Sequence, residues 1–440
     1  MASIYEELSW RGLVHQVSDA AGFQSLMAAG PQRVYAGFDP TASSLHIGNL
    51  VPLIALRRFQ LAGHVPIAVM GGSTGLIGDP SGKSNERALN ERAVVTAWLG
   101  RIREQVGRFI DLEARAVGAA EPAGAAAAAH LVDNYDWTAG LSVLDFLRDV
   151  GKHFSVNAML AKDSVRSRLE REESGISYAE FSYMILQAYD FFHLAEALDC
   201  RVQVGGSDQW GNITAGIELI RRKLGRESFA LTFPLITTAS GAKFGKTERG
   251  TVWLDAAKTS PYAFYQFWIN VDDRDVGRFL RYFTFLAREE IEALEEATRE
   301  RPAERGGQRR LAAEMTRMTH GAGEVEMVER ASRALFGQGD LAAVDERTLE
   351  AALESAPGVE MARGEEIPPL AGLLVKGEVA RSMSEARRLV AEGGVYVNNR
   401  RVADPQLLLT PADFLFGRLL VLRRGKKSYS VIRLPADQVT

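Results

Sequence analysis

In the first half of the chain, apolar residues gather in short unbroken runs, and between the runs their spacing lengthens to a helical period. Runs at residues 34–38, 66–70, 130–132 and 201–204 predict buried strands, and the segments between them are long enough for crossover helices. That is the pattern of a parallel sheet. Such sheets bind ligands beyond the C-terminal ends of their strands. Polar blocks follow those ends here: Asp39 and Thr41 after the first run, Gly71 to Asp79 after the second, Gly205 to Gln209 after the fourth. The pattern leaves the strand order open.

From Pro261 to about Glu346 the spacing turns helical and charged, with amphipathic stretches at 289–299 and 309–318. Residues 355–369, with Pro357, Gly364, Pro368 and Pro369, predict a linker. Beyond it, Ser384 is placed to cap a helix that presents Arg387 and Arg388, and Gly393 and Gly394 turn the chain into a strand. The Ala-rich stretch 119–129 reads as a loop or frayed helix with no assigned role.

A chain of 440 residues is long for one core and suggests about two to four domains. Its single cysteine, Cys200, excludes an internal disulfide and a multi-thiolate zinc site, and reads as ordinary core. The N-terminus carries Glu6 and Glu7 and lacks the basic and apolar regions of a signal peptide; no later run is long enough to span a bilayer, so a cytoplasmic location is expected. Charge is uneven. From residue 371 on, 12 Lys and Arg stand against 6 Asp and Glu, a net of +6 in a chain whose total is -4. A basic C-terminal module suits a nucleic-acid partner, although charge alone leaves a solvated basic face equally open.

Two short motifs carry the candidate chemistry. His46, Ile47, Gly48 and Asn49 lie between the first strand and an apolar-periodic segment, where a helix N-terminus would face phosphate. Lys243, Phe244, Gly245, Lys246 and Thr247 put two lysines on a Gly-containing segment suited to closing over a departing anion. Alone, a His-x-Gly is more often structural and two lysines three apart are more often a solvated pair; their co-occurrence gives them weight. Residues 78–84 are one residue short of P-loop spacing, which excludes a P-loop ATPase.

Together the two motifs resemble the HIGH and KMSKS signatures of class I aminoacyl-tRNA synthetases. Four blocks, YAGFDPT at 35–41, GLIGDPSG at 75–82, YMILQAYD at 183–190 and GGSDQWGN at 205–212, resemble the bacterial tyrosyl-tRNA synthetases over nearly the whole chain. Asn49 replaces the last His of HIGH, and Phe244, Gly245 and Thr247 depart from Met, Ser and Ser.

The resemblance implies an α/β fold. A Rossmann-like catalytic domain would span 1–235 with an insertion around 131–200, followed by a signature loop and connector at 236–260. A helical anticodon-side domain would occupy 261–350, a linker 351–369, and a small α+β RNA-binding domain like that of ribosomal small-subunit protein four 370–440. It implies ATP-dependent activation of tyrosine to tyrosyl-adenylate, then transfer to the terminal adenosine of tRNA(Tyr). Magnesium would travel with ATP, with no protein metal cage, and the enzyme would be a homodimer with one tRNA spanning both subunits.

By the same resemblance, Thr41, His46, Gly48, Asn49, Lys83, Arg87, Lys243, Lys246 and Thr247 serve catalysis on the phosphates. Gly37, Asp39, Gly206 and Asp208 join His46, Gly48 and Lys246 around ATP. Asp79, Tyr183 and Gln187 grip the α-ammonium group, Gln209 stands near the carboxylate, and Tyr35 and Asp190 hold the phenol hydroxyl. Tyr183 and Gln187 are four apart and share a helical face, with Asp190 in the next turn. Arg381, Arg387 and Arg388 are the expected RNA contacts. A tryptophanyl relative and a non-catalytic RNA-binding descendant are the competing readings; Tyr35, Asp190 and the C-terminal module favour tyrosine over the first, and the full set of phosphate-handling groups disfavours the second.

Overall fold

A computed structural model describes residues 3–112, 128–162, 165–166, 169, 176–241, 244–247, 250–335, 337–354, 356–425 and 428–435, apart from 81–88. Packing divides the chain into two units, Met1–Lys258 with Ile269–Thr319, and Thr259–Trp268 with His320–Thr440.

In the first unit, strands β1 (Gln16–Val17), β2 (Arg33–Phe38), β3 (Val65–Met70), β4 (His130–Asp133), β5 (Val202–Gly206) and β6 (Phe229–Phe233) form one sheet in the order β1-β6-β5-β2-β3-β4. All neighbours are parallel except β1 against β6. The four expected strands are present, and β1 and β6 add two that the pattern did not predict. Between β2 and β5 the winding reverses, since β3 and β4 lie to one side and β6 to the other. Such a switch point opens a crevice at the C-terminal strand ends.

Helix Leu50–Leu61 packs against β2 and β3, and its burial extends around most of its circumference. Helix Tyr178–Leu198 brings Met184, Ala188 and Phe191 onto Tyr35, Ile67 and Val69 of the sheet, with Leu219 of helix Trp210–Leu224 in the same cluster. Alternation along β3 sends Ile67 and Val69 to one face. Cys200 lies in this core as expected.

Helices Asp273–Phe283, Arg288–Glu300 and Gly306–His320 belong with this sheet, so the unit boundary falls inside the 261–350 segment that was expected as one helical domain. Two buried guanidinium groups help make the attachment. Arg58 donates to the Thr284 carbonyl at 2.6 Å, and Arg11 donates to the carbonyls of Arg281, Thr284 and Leu286 at 3.0, 3.1 and 2.9 Å. They satisfy carbonyls at the C-terminal end of helix Asp273–Phe283, where the helix leaves acceptors unpaired and its dipole favours cations. Burial, then the nearby Arg11 charge, holds the Arg58 pKa well below the ordinary guanidinium value.

The second unit holds a sheet of β9 (Gly358–Glu360), β10 (Val395–Val397), β11 (Arg400–Arg401), β12 (Leu419–Arg424) and β13 (Ser428–Arg433), in the order β11-β10-β12-β13-β9. Leu420 and Leu422 face helices Leu370–Lys376 and Met383–Ala391, while Leu419 and Val421 face Leu335, Leu349 and Leu353. Two expectations change here. Part of the stretch predicted as a linker is an edge strand, with β9 parallel to β13. The helix cap is Ser382, not Ser384: the Ser382 Oγ accepts the Glu385 N–H at 3.2 Å, and Ser384 falls inside the first turn. Ser382 and Glu385 have the three-residue spacing of a capping box, a stronger start signal than Ser384 alone.

Candidate active site

The two signatures meet through the backbone. The Ile47 N–H donates to the Val252 carbonyl at 3.1 Å, the Leu254 N–H to Leu45 at 2.9 Å, and the Val252 N–H to Gly245 at 3.1 Å. His46 thereby faces Trp253, with ring centroids 6.1 Å apart. Lys246–Thr247 forms a two-residue strand, β7, paired with β8 (Gly250–Thr251). Lys83, Arg87, Lys243 and most of the 119–129 stretch lie outside the described residues.

His46 caps a short 3-10 helix, Ile47–Asn49, immediately ahead of helix Leu50–Leu61. Its Nδ1 accepts the Gly48 N–H at 3.0 Å, and the Asn49 Oδ1 accepts the His46 N–H at 3.1 Å. An accepting Nδ1 leaves the proton of the neutral ring on Nε2, a donor suited to a phosphate oxygen. Gly48 is required by this cap. A Cβ there would stand 2.7 Å from the His46 Cε1.

At the C-terminal end of β2, the Asp39 carboxylate accepts hydrogen bonds from the Tyr183 hydroxyl at 2.6 Å and the Thr74 hydroxyl at 2.6 Å. Burial raises the Tyr183 pKa, and the Asp39 and Asp79 charges add to the effect, so both carboxylates act on this phenol. The Gln187 Oε1 accepts from the Asn212 Nδ2 at 2.9 Å. Gly205 and Gly206 make room for their neighbours: a Cβ on Gly205 would lie 2.6 Å from the Gln209 Oε1, and one on Gly206 2.6 Å from the Asp208 Oδ1. Gly37 and Thr41 are exposed beside β2, and the Thr41 N–H donates to the Asp39 carbonyl at 2.9 Å.

Deeper in the sheet, Tyr35 is buried and its hydroxyl accepts from the Gln203 Nε2 at 2.9 Å. Burial raises its pKa, with the Asp190 charge the next cause. Asp190 is 3% exposed; its two carboxylate oxygens accept from the Trp137 Nε1 at 2.8 Å and the Asn134 Nδ2 at 2.9 Å. Burial outweighs these donors and pushes its pKa up to about 7. This is a polar floor under an apolar wall.

Comparison with known proteins gives the family. Residues 27–337 match the model for class I tRNA synthetases (W and Y). The chain belongs to this family. In this synthetase, residues 348–432 match the tyrosine--tRNA ligase SYY-like C-terminal domain. It is 54% identical to the tyrosine--tRNA ligase of Bacillus caldotenax over 428 residues, 97% of this chain and 98% of that one. Identity to the Nocardia farcinica tyrosine--tRNA ligase is also 54%, over 429 residues and 97% of each chain. A C-terminally truncated mitochondrial tyrosyl-tRNA synthetase of Aspergillus nidulans aligns with a TM-score of 0.67 and 31% identity, covering 76% of this chain and 95% of that one. The expected α/β architecture with a C-terminal α+β unit is the observed one.

Five polar residues of this synthetase, Gln203, Thr74, Asn134, Trp137 and Asn212, line the site without being candidates in the sequence. Gln203 was legible as the one polar residue inside the run Val202 to Val204. Thr74 lies within the polar block from Gly71 to Asp79, Asn212 ends the GGSDQWGN block, and Asn134 follows a strand end as those blocks do. Trp137 had no comparable signal. In the C-terminal unit, Arg381, Arg387 and Arg388 are exposed at and along helix Met383–Ala391.

Proposed function

We propose that this synthetase activates tyrosine with ATP and charges tRNA(Tyr). The tyrosine carboxylate attacks the α-phosphorus of ATP and pyrophosphate leaves; a hydroxyl of the terminal ribose of the tRNA then attacks the aminoacyl carbon and AMP leaves. Both steps join or separate anions, so positioning and positive charge supply most of the catalysis. His46, Thr41, Lys83, Arg87, Lys243, Lys246 and Thr247 are assigned to the phosphates, with Gly48 and Asn49 holding His46 in place. Gly37, Gly206 and Asp208 are assigned to the nucleoside. Asp79, Tyr183 and Gln187 take the α-ammonium group, and Gln209 the carboxylate. Asp39 is assigned to ATP and is bonded to Tyr183 of the ammonium set.

What favours a phenol is the buried Asp190 carboxyl near Tyr35, at the base of an apolar cluster. A hydroxyl there gains an acceptor that phenylalanine cannot use. Magnesium is assigned to the ATP phosphates, which offer the hard oxygen ligands it prefers. Arg381, Arg387 and Arg388 are assigned to RNA phosphate. Among the described residues no helix is long and apolar enough to cross a membrane; tRNA charging for protein synthesis is assigned to the cytoplasm.

A homodimer is supported by exposed apolar side chains close together in sequence: Val143, Leu144, Leu147, Val156 and Leu160, with Leu144 78% exposed. Such surface suits a second copy of the chain. Leu144→Asp is expected to shift the sedimenting species from dimer to monomer, and an unchanged dimer would place the interface elsewhere.

The decisive experiment is exchange of labelled pyrophosphate into ATP without tRNA, with tyrosine, tryptophan and phenylalanine in parallel. Exchange with tyrosine alone is expected. Exchange driven by tryptophan would move the specificity to the sister enzymes, and none with any amino acid in folded protein would remove the activation step.

A further inference from the structure

We propose that His193 is a positioning residue for amino-acid specificity: its imidazole stacks on Trp137 and holds the indole N–H against Asp190. The inference rests on Asp190 receiving the tyrosine hydroxyl. The two rings are nearly parallel, 17° apart in plane, with centroids separated by 4.7 Å. Trp137 lies in the single-turn helix Tyr135–Thr138, at the end of a short connection from β4. One turn fixes an indole weakly. Two contacts from helix Tyr178–Leu198 pin it instead: the 2.8 Å bond from its Nε1 to the Asp190 Oδ1, and the face of His193 three residues further on. Positions three apart share a helix face, so the acceptor and the stacking ring are carried as one rigid pair.

His193 is half-buried, faced by Trp137, Tyr189 and, through charge, Glu196. Burial lowers its pKa, so at neutral pH it stacks as a neutral ring. Stacking therefore depends on a flat side chain and not on a charge, which makes substitution informative. His193→Phe keeps a flat face; His193→Ala and His193→Leu do not.

The test compares kcat/KM for tyrosine and phenylalanine in pyrophosphate exchange, across pH, for these variants and for Asp190→Asn. His193→Ala is expected to lower the tyrosine preference about three- to tenfold, mainly through KM for tyrosine, as the worth of an aromatic pair allows. A loosened indole N–H also stabilises the ionised Asp190 less, so the acidic limb of the tyrosine profile moves to higher pH. His193→Phe should restore both. If His193→Ala does not fold, His193→Leu against His193→Phe decides the same point. Wild-type preference and an unmoved limb in His193→Ala or His193→Leu, with Asp190→Asn still impaired, would overturn the positioning role and leave the pocket assignment standing. Unchanged preference in Asp190→Asn as well would overturn both.

Discussion

Replacing Asp190 with Asn removes one charge from the floor of the pocket with little change in shape, and it has two consequences of opposite sign. For recognition above about pH 7, where the carboxyl is ionised, the tyrosine hydroxyl loses a charged acceptor. A hydrogen bond to a charged group is worth about 1.5–3 kcal/mol, so the preference for tyrosine over phenylalanine in kcat/KM should fall roughly ten- to a hundredfold, with the phenylalanine value little altered. For stability, the carboxyl is pushed up to about 7 in the folded chain from an ordinary 3.8. An acid whose folded pKa is raised binds its proton more tightly when folded, so it favours the fold at low pH and loses that contribution as pH rises from about 4 through about 7. Three units correspond to about 4 kcal/mol in total, of which about 2.5 kcal/mol falls between about pH 5 and about pH 8. Asn does not titrate. Wild type should therefore lose about 2.5 kcal/mol relative to Asp190→Asn over that interval, measured by urea unfolding at both ends. A stability difference independent of pH would refute the buried-acid account, and an unchanged tyrosine preference would refute the recognition role.

Three further outcomes follow from other parts of the molecule. Gly48→Ala places a Cβ 2.7 Å from the His46 ring and must displace it, so pyrophosphate exchange should fall at least about tenfold with little change in melting temperature, because Gly48 is exposed; near-normal exchange would show that the ring position is not critical. Arg58→Met leaves the Thr284 carbonyl short of a buried charged donor and should cost about 3 kcal/mol in urea unfolding; a neutral effect would mean that Arg11 suffices. Arg387→Ala with Arg388→Ala should weaken tRNA binding and reduce its salt slope by about 2 while leaving exchange intact; an unchanged slope would move the RNA contacts to another surface.

The sequence exposed most of what local chemistry decides. Strands β2 to β5 were legible because unbroken apolar runs bounded by polar blocks have few alternative uses, and Gly71 to Asp79 and Gly205 to Gln209 fell at strand ends as the parallel-sheet rule requires. What it hid are relations between distant segments. The order of the sheet, the β1 pairing with β6, and the insertion of Asn134 and Trp137 beneath Asp190 are all set by tertiary packing. The C-terminal edge strand was hidden for a different reason. Its Gly358 and the neighbouring Pro357 carry loop signals, yet the Val431 N–H bonds to the Pro357 carbonyl at 2.9 Å and extends the sheet.

The departures of the second signature from its family pattern have a physical explanation in that same tertiary packing. Phe244 stands where the pattern has Met, and its ring is buried against Phe279 at 4.5 Å and Phe283 at 5.7 Å between centroids. The position is an apolar anchor, so an aromatic serves as well as a thioether, with Arg58 and Arg11 fixing the end of the helix that carries both partners. Gly245 stands where the pattern has Ser. Its φ is +90°, and a Cβ would come within 2.8 Å of the Ile47 Cγ1, beside the His46 cap. Gly at that position thus lets the second signature approach the first closely enough for the Gly245 carbonyl to receive the Val252 N–H while Ile47 pairs with Val252. Gly245, through the bonds that it and Ile47 make to Val252, is therefore where the two signatures meet in this chain, and Phe244 anchors the second of them on helix Asp273–Phe283.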